Sequence, residues 1–121
     1  MKFPPDYLKD AVRITHYTIS HNTGAIFDCD YKGQISSIIF EKNRLFFIKK
    51  KPLQLIRESC RYYGWSYKER VHHAKEFFKQ SHKLPVLITQ TTTKPCILLP
   101  LYSASNTGNA WLNLYKIRDK E

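Results

Sequence analysis

The chain has 121 residues, 42% of them hydrophobic, and 20 Lys or Arg against 10 Asp or Glu, a formal charge of +10. This length suits one domain, 1–121, whose single core removes roughly two thirds of the unfolded surface from water, and the apolar content excludes disorder over most of it. No apolar run is long enough to cross a bilayer and no secretion signal opens the chain, so a cytoplasmic protein is expected, with residues 1–8 and 118–121 as loose ends.

Residues 14–20 alternate in part and read as a first strand. The tetrad His21-Asn22-Thr23-Gly24 is turn chemistry, because Asn and Gly accept positive φ. Residues 25–31 follow as a strand with Ala25, Phe27, Cys29 and Tyr31 on one face and Asp28 and Asp30 on the other. Residues 35–40 and 44–50 are rich in β-branched and aromatic side chains, and the short Glu41-Lys42-Asn43 link predicts a hairpin.

The period changes at Pro52, which suits the first position of a helix. Leu53, Ile56, Cys60 and Tyr63 then recur at helical spacing, and Gly64 supplies the stop. Ser66 and Glu69 form a capping-box pattern that opens a second helix, whose apolar stripe is Tyr67, Val71, Ala74 and Phe78 and which runs to about Ser81. Strand patterns return over residues 86–92, 96–102 and 110–117. The order predicts an α+β domain: a largely antiparallel sheet drawn from both halves, with two central helices packed on one side.

The three cysteines, Cys29, Cys60 and Cys96, are 31 and 36 positions apart, so no CxxC zinc motif exists and reduced thiols are expected. His72 and His73 are adjacent and diverge by about 100° on a helix, which rules out joint chelation. No HExxH, GxSxG or Walker A motif is present. Asp28 and Asp30 could hold a metal in a nuclease, but strand faces supply such pairs often, and Cys60 on the apolar stripe reads as an inert buried thiol. The expectation is a protein without catalytic residues, metal or cofactor.

The charge is segregated. Between Lys42 and Lys83 stand 12 Lys or Arg and 3 Glu, a balance of 12 − 3 = +9, against 8 − 7 = +1 elsewhere. Folding has no use for that asymmetry, and a polyanion would relieve it, which makes nucleic acid the leading candidate partner, against a basic face that serves only solubility. On the first helix Gln54, Arg57 and Arg61 flank the apolar stripe; on the second, Lys68, His72, Lys75 and Lys79 do the same, with Arg70 nearby. Lys49-Lys50-Lys51 leads into the first of these ridges. Tyr62, Trp65 and Tyr67 surround the turn between the helices, where an aromatic ring either stacks on a base or plugs the turn.

The block from Phe47 to Gly64, Phe-Ile-Lys-Lys-Lys-Pro-Leu-Gln-Leu-Ile-Arg-Glu-Ser-Cys-Arg-Tyr-Tyr-Gly, resembles the ComK family of bacterial competence transcription factors. The family's Lys-Pro-Leu-Gln falls on Lys51 to Gln54, its apolar pair on Leu55 and Ile56, and its Ser-Cys-Arg, aromatic pair and Gly on Ser59 to Gly64. The likeness continues through Ser66-Tyr67, Arg70 and Ser81-His82-Lys83, and more weakly back to Ile38 and forward to Trp111. It implies a sequence-specific regulator that binds paired AT-rich boxes through the minor groove, works as a homo-oligomer or with a ComK-like partner, and has RNA polymerase as a further partner. A family activator is expected to continue well past Glu121. For a short relative the alternatives are to bind double-stranded DNA without activating, to join the activator's oligomers and poison them, to be a remnant with little activity, or to serve as an interaction module that modulates a full-length relative without touching DNA. Trp65 and residues 69–79 match the family poorly, so contacts on the second helix rest on charge and face.

Overall fold

The computed structural model describes residues 10–75, 86–89, 96–101, 109–114 and 116. Within them the elements are β1 (Val12–Arg13), β2 (Thr23–Tyr31), β3 (Gln34–Glu41), β4 (Arg44–Ile48), α1 (Pro52–Tyr62), α2 (Tyr67–Lys75), β5 (Val86–Thr89), β6 (Cys96–Pro100) and β7 (Ala110–Asn113). The seven strands form one sheet in the order β1-β4-β3-β2-β7-β6-β5. Only β1 and β4 pair parallel; every other neighbour is antiparallel. The expected α+β class and the sharing of the sheet between both halves are thus observed.

Two hairpins of the same design build the N-terminal half. Tyr31↔Gln34 and Glu41↔Arg44 are each closed by two residues. Lys32 (φ 50°) with Gly33 (φ 81°), and Lys42 (φ 48°) with Asn43 (φ 63°), hold positive φ at both central positions, the geometry that matches the right-handed twist of the strands.

Residues 14–20 do not form the expected strand. The Ile14 amide prolongs the β1–β4 pairing by donating to the Phe47 carbonyl at 2.9 Å. Further on, side chains of α1 and of Tyr63 just past its end satisfy the backbone: the Ile19 amide donates to Ser59 Oγ and the Tyr63 hydroxyl donates to the Ile19 carbonyl, both at 2.9 Å. An apolar and polar alternation is therefore spent on crossing the helix, with Ile19 fully buried.

The helices pack on one face. Ile56, Cys60, Leu55 and Val71 join Ile19, Ile26, Ile39, Ile48, Val86, Ile88, Leu98 and Trp111 in one buried cluster, with Leu53, Tyr63 and Tyr67 half-buried at its edge. The buried side of α1 is Pro52, Leu55, Ile56, Ser59 and Cys60, turned slightly from the expected stripe because Ser59 is needed inside as the Ile19 acceptor. The Ala74 side chain, Phe78 and the expected helix end at Ser81 lie outside the described residues. Smaller clusters, Cys29 with Ile38 and Phe47 and Leu87 with Ile97, occupy the other face.

The turn between the helices is fixed by local bonds. Gly64, at φ 89°, donates to the Arg61 carbonyl at 3.0 Å and Trp65 to the Cys60 carbonyl at 2.9 Å, a Schellman closure of α1. Ser66 and Glu69 then make the reciprocal capping box, both bonds at 3.1 Å. A Cβ added at Gly64 would meet nothing within 4 Å, so the cost of a side chain there is purely conformational. Gly64→Ala is expected to lower the unfolding free energy by about 1 kcal/mol in a denaturant titration. An unchanged midpoint would mean that the positive φ stores no strain.

Candidate nucleic-acid interface

The entry to α1 is anchored and then left electrostatically open. Ser37, fully buried, donates to the Lys50 carbonyl at 2.6 Å, and Lys50 Nζ meets Glu58 Oε1 at 2.9 Å. Gln54 Nε2 donates to the other Glu58 oxygen at 3.0 Å. The Lys50 bond, helped by Gln54 and opposed by desolvation, holds the Glu58 carboxyl below the ordinary glutamate range. Lys51, the residue before the helix, makes no side-chain cap, and the first turn holds no acid. The positive end of the helix dipole and the Lys49-Lys50-Lys51 run therefore add rather than cancel, which costs the free protein stability and favours a phosphate.

Along the exposed side of α1 stand Gln54, Arg57 and Arg61, with Lys49 and Lys51 at its entry. The Arg57 guanidinium lies 5.5 Å from the Tyr67 ring centroid, and the exposed Lys68 begins the matching side of α2. Among the described residues neither Arg57 nor Arg61 bonds a carboxylate, since Glu58 is taken by Lys50 and Gln54 and the Asp28 carboxylate accepts from the Asn109 amide. Five cations, Lys49, Lys51, Arg57, Arg61 and Lys68, are thus solvent-facing; Lys50 is half-buried and paired. The Lys75 side chain and all of Lys79 lie outside the described residues.

Arg70 is placed differently from the rest. It is only 6% exposed, its guanidinium stacks 4.7 Å from the Trp65 ring centroid, and among the described residues its side chain makes one long hydrogen bond of 3.4 Å, between Nη1 and His73 Nδ1. Its Nε has no hydrogen-bond partner among the described residues. Burial pulls its pKa down, opposed by the nearby Cys60 and Glu69. Trp65 itself is 39% exposed and Tyr62 is 72% exposed, so the aromatic turn faces solvent on one side and covers Arg70 on the other. The sequence offered Glu58 as a partner for Arg57 or Arg61; it is bonded instead by Lys50 and Gln54, eight and four residues before it.

Asp28 is buried, with its carboxylate accepting from the Asn109 backbone amide, whereas Asp30 near the end of β2 is exposed. Cys60 is fully buried and burial pushes its thiol up to about 11, which keeps it protonated at neutral pH. No group of three or more His, Cys, Asp or Glu placed to hold a metal occurs among the described residues, and no described helix is long and apolar enough to cross a membrane.

A family model described as ComK protein matches residues 14–121. The competence transcription factor of Bacillus subtilis (strain 168) is 30% identical over 103 residues, a span of 85% of this chain and 53% of that protein. The chain therefore spans about half the length of that curated relative. No solved structure matches.

Proposed function

Because the chain belongs to the ComK family, we propose that it is a DNA-binding regulator of transcription, acting on competence genes and docking on AT-rich duplex through α1. The observation that carries this reading is the solvent-facing row of Lys49, Lys51, Arg57 and Arg61, which form no ion pair among the described residues, with Gln54 between them bonded to Glu58, all borne at a helix whose other side is locked into the core. Lysines at the helix entry position the phosphate backbone, and Arg57 or Arg61 senses groove width, since narrow AT-rich minor grooves concentrate negative potential. Lys50, Lys68, Arg70, Lys75 and Lys79 extend the contact; of these Arg70 acts only after Trp65 uncovers it. Assembly into homo-oligomers or with a longer ComK-like protein, and contact with RNA polymerase, belong to the same proposal.

The exposed Tyr62 and Trp65 favour a second reading, because such rings suit a protein partner as well as a base: an interaction module that modulates a longer relative without touching DNA. Titrating purified protein onto AT-rich and GC-rich duplexes across a salt series separates the two. If about five phosphates are neutralised per chain, the log–log slope of affinity against salt is expected near −4 to −5, with tighter binding to AT-rich duplex. A slope near zero rejects the DNA reading; copurification with a longer relative in that case favours the second.

A further inference from the structure

Three cations converge on one aromatic ring, on the face of the sheet opposite the described helices. Arg13 Nη2 donates to Tyr31 Oη at 3.1 Å, and the same guanidinium lies 5.2 Å from the Tyr31 ring centroid and 5.6 Å from that of Phe47. Lys32 Nζ is 5.2 Å and Lys49 Nζ 5.8 Å from the Tyr31 centroid. The two rings meet edge to face at 5.1 Å, so Phe47 braces Tyr31. These residues come from β1, from the first hairpin turn and from the end of β4, and the chain brings them together only through the sheet order. Lys32 is held in place by a turn with φ 50°.

All three cations are exposed, and none forms an ion pair with an acid among the described residues. The face of one phenol attracts a cation but cannot neutralise three, and their mutual repulsion persists in the free protein. Arg13, followed by Lys32, draws the Tyr31 hydroxyl below its ordinary pKa. While the phenol is neutral, its oxygen accepts from Arg13 and its proton is available to an anion. Lys49 belongs both to this corner and to the run that enters α1.

We propose that Arg13, Lys32, Lys49 and the Tyr31 hydroxyl form a second phosphate-binding site, on the sheet rather than on the helices, which takes the sugar-phosphate backbone of a bound duplex. The site rests on the DNA-binding reading above and extends it: α1 carries sequence preference, and this corner contributes affinity that is blind to sequence.

The test compares the Arg13→Gln/Lys32→Gln and Arg57→Gln/Arg61→Gln double variants with the unaltered chain, each verified as folded by thermal denaturation, on AT-rich and GC-rich duplexes over a salt series. Loss of two phosphate contacts is expected to flatten the slope of the Arg13/Lys32 variant by roughly 2 and to weaken binding about equally on both duplexes. A slope unchanged in that variant but reduced in the Arg57/Arg61 variant overturns the sheet site and leaves the helix reading intact. No binding by the unaltered chain overturns both. A second measurement uses no cation variant: NMR titration of ring-labelled tyrosine, with Tyr31→Phe to assign the signal. Bound phosphate neutralises the surrounding cations, so duplex is expected to raise the Tyr31 midpoint. A midpoint indifferent to duplex that still binds with a steep slope also overturns the site.

Discussion

Replacing Ile56 with alanine is expected to lower the unfolding free energy by about 2–4 kcal/mol. Ile56 is fully buried on α1, in one cluster with Ile26 and Ile39 of the two central strands and with Trp111 of β7. Removing its outer carbons leaves a void lined by residues from both halves of the sheet, which cannot close without moving the helix. Against a total stability of about 5–15 kcal/mol for an ordinary domain, the loss is large enough to read directly from a urea midpoint. A loss below about 1 kcal/mol would mean that α1 is not docked as described. Duplex affinity of the folded fraction should be unchanged, because Ile56 faces away from the cationic row.

Arg61→Ala is expected to show the opposite pattern, with stability little altered and affinity for AT-rich duplex reduced by about 1–3 kcal/mol. The loss on GC-rich duplex should be smaller, since a wide groove offers a guanidinium less potential to exploit. The competing idea is that Arg57 and Arg61 steady the fold by pairing with Glu58 or Asp28; neither guanidinium forms an ion pair among the described residues, although the Arg61 charge helps to lower the Glu58 pKa. Duplex affinities for a variant confirmed as folded decide the matter, and an unchanged AT-to-GC ratio removes Arg61 from the site.

The fold was legible wherever a residue's job was local. Pro52, Gly64 and the Ser66/Glu69 pair mark helix boundaries through bonds that span a few positions, and each acts as expected. Misreadings arose where a distant partner decided. Alternation over residues 14–20 suggested a strand, yet the Ile19 backbone is claimed by Ser59 and Tyr63, 40 and 44 positions away. Alternation put Asp28 and Asp30 on one face, yet Asp28 is buried beside Asn109, which precedes β7, while Asp30 is exposed. Helical spacing placed Gln54, Arg57 and Arg61 on an exposed flank. It could not distinguish Arg70, which the Trp65 turn folds inward, nor gather Arg13, Lys32 and Lys49 from three separate elements.

The seam between β2 and β7 has a consequence for how the chain reaches this state. The β2–β3 and β3–β4 pairings each close a two-residue loop, and hairpins of that kind form within about 1–10 μs. Asn113 Nδ2 donates to the Thr23 carbonyl across 90 positions, so joining β7 to β2 carries a far larger loop-closure entropy than either hairpin. The N-terminal strands are synthesised first, so hairpins that form at once leave the flank of β2 unpaired until Trp111 is made. In that interval β2 is an open edge of a half-built sheet. The polar residues along it, Thr23, Asp28 and Asp30, work against promiscuous strand addition until the native neighbour docks.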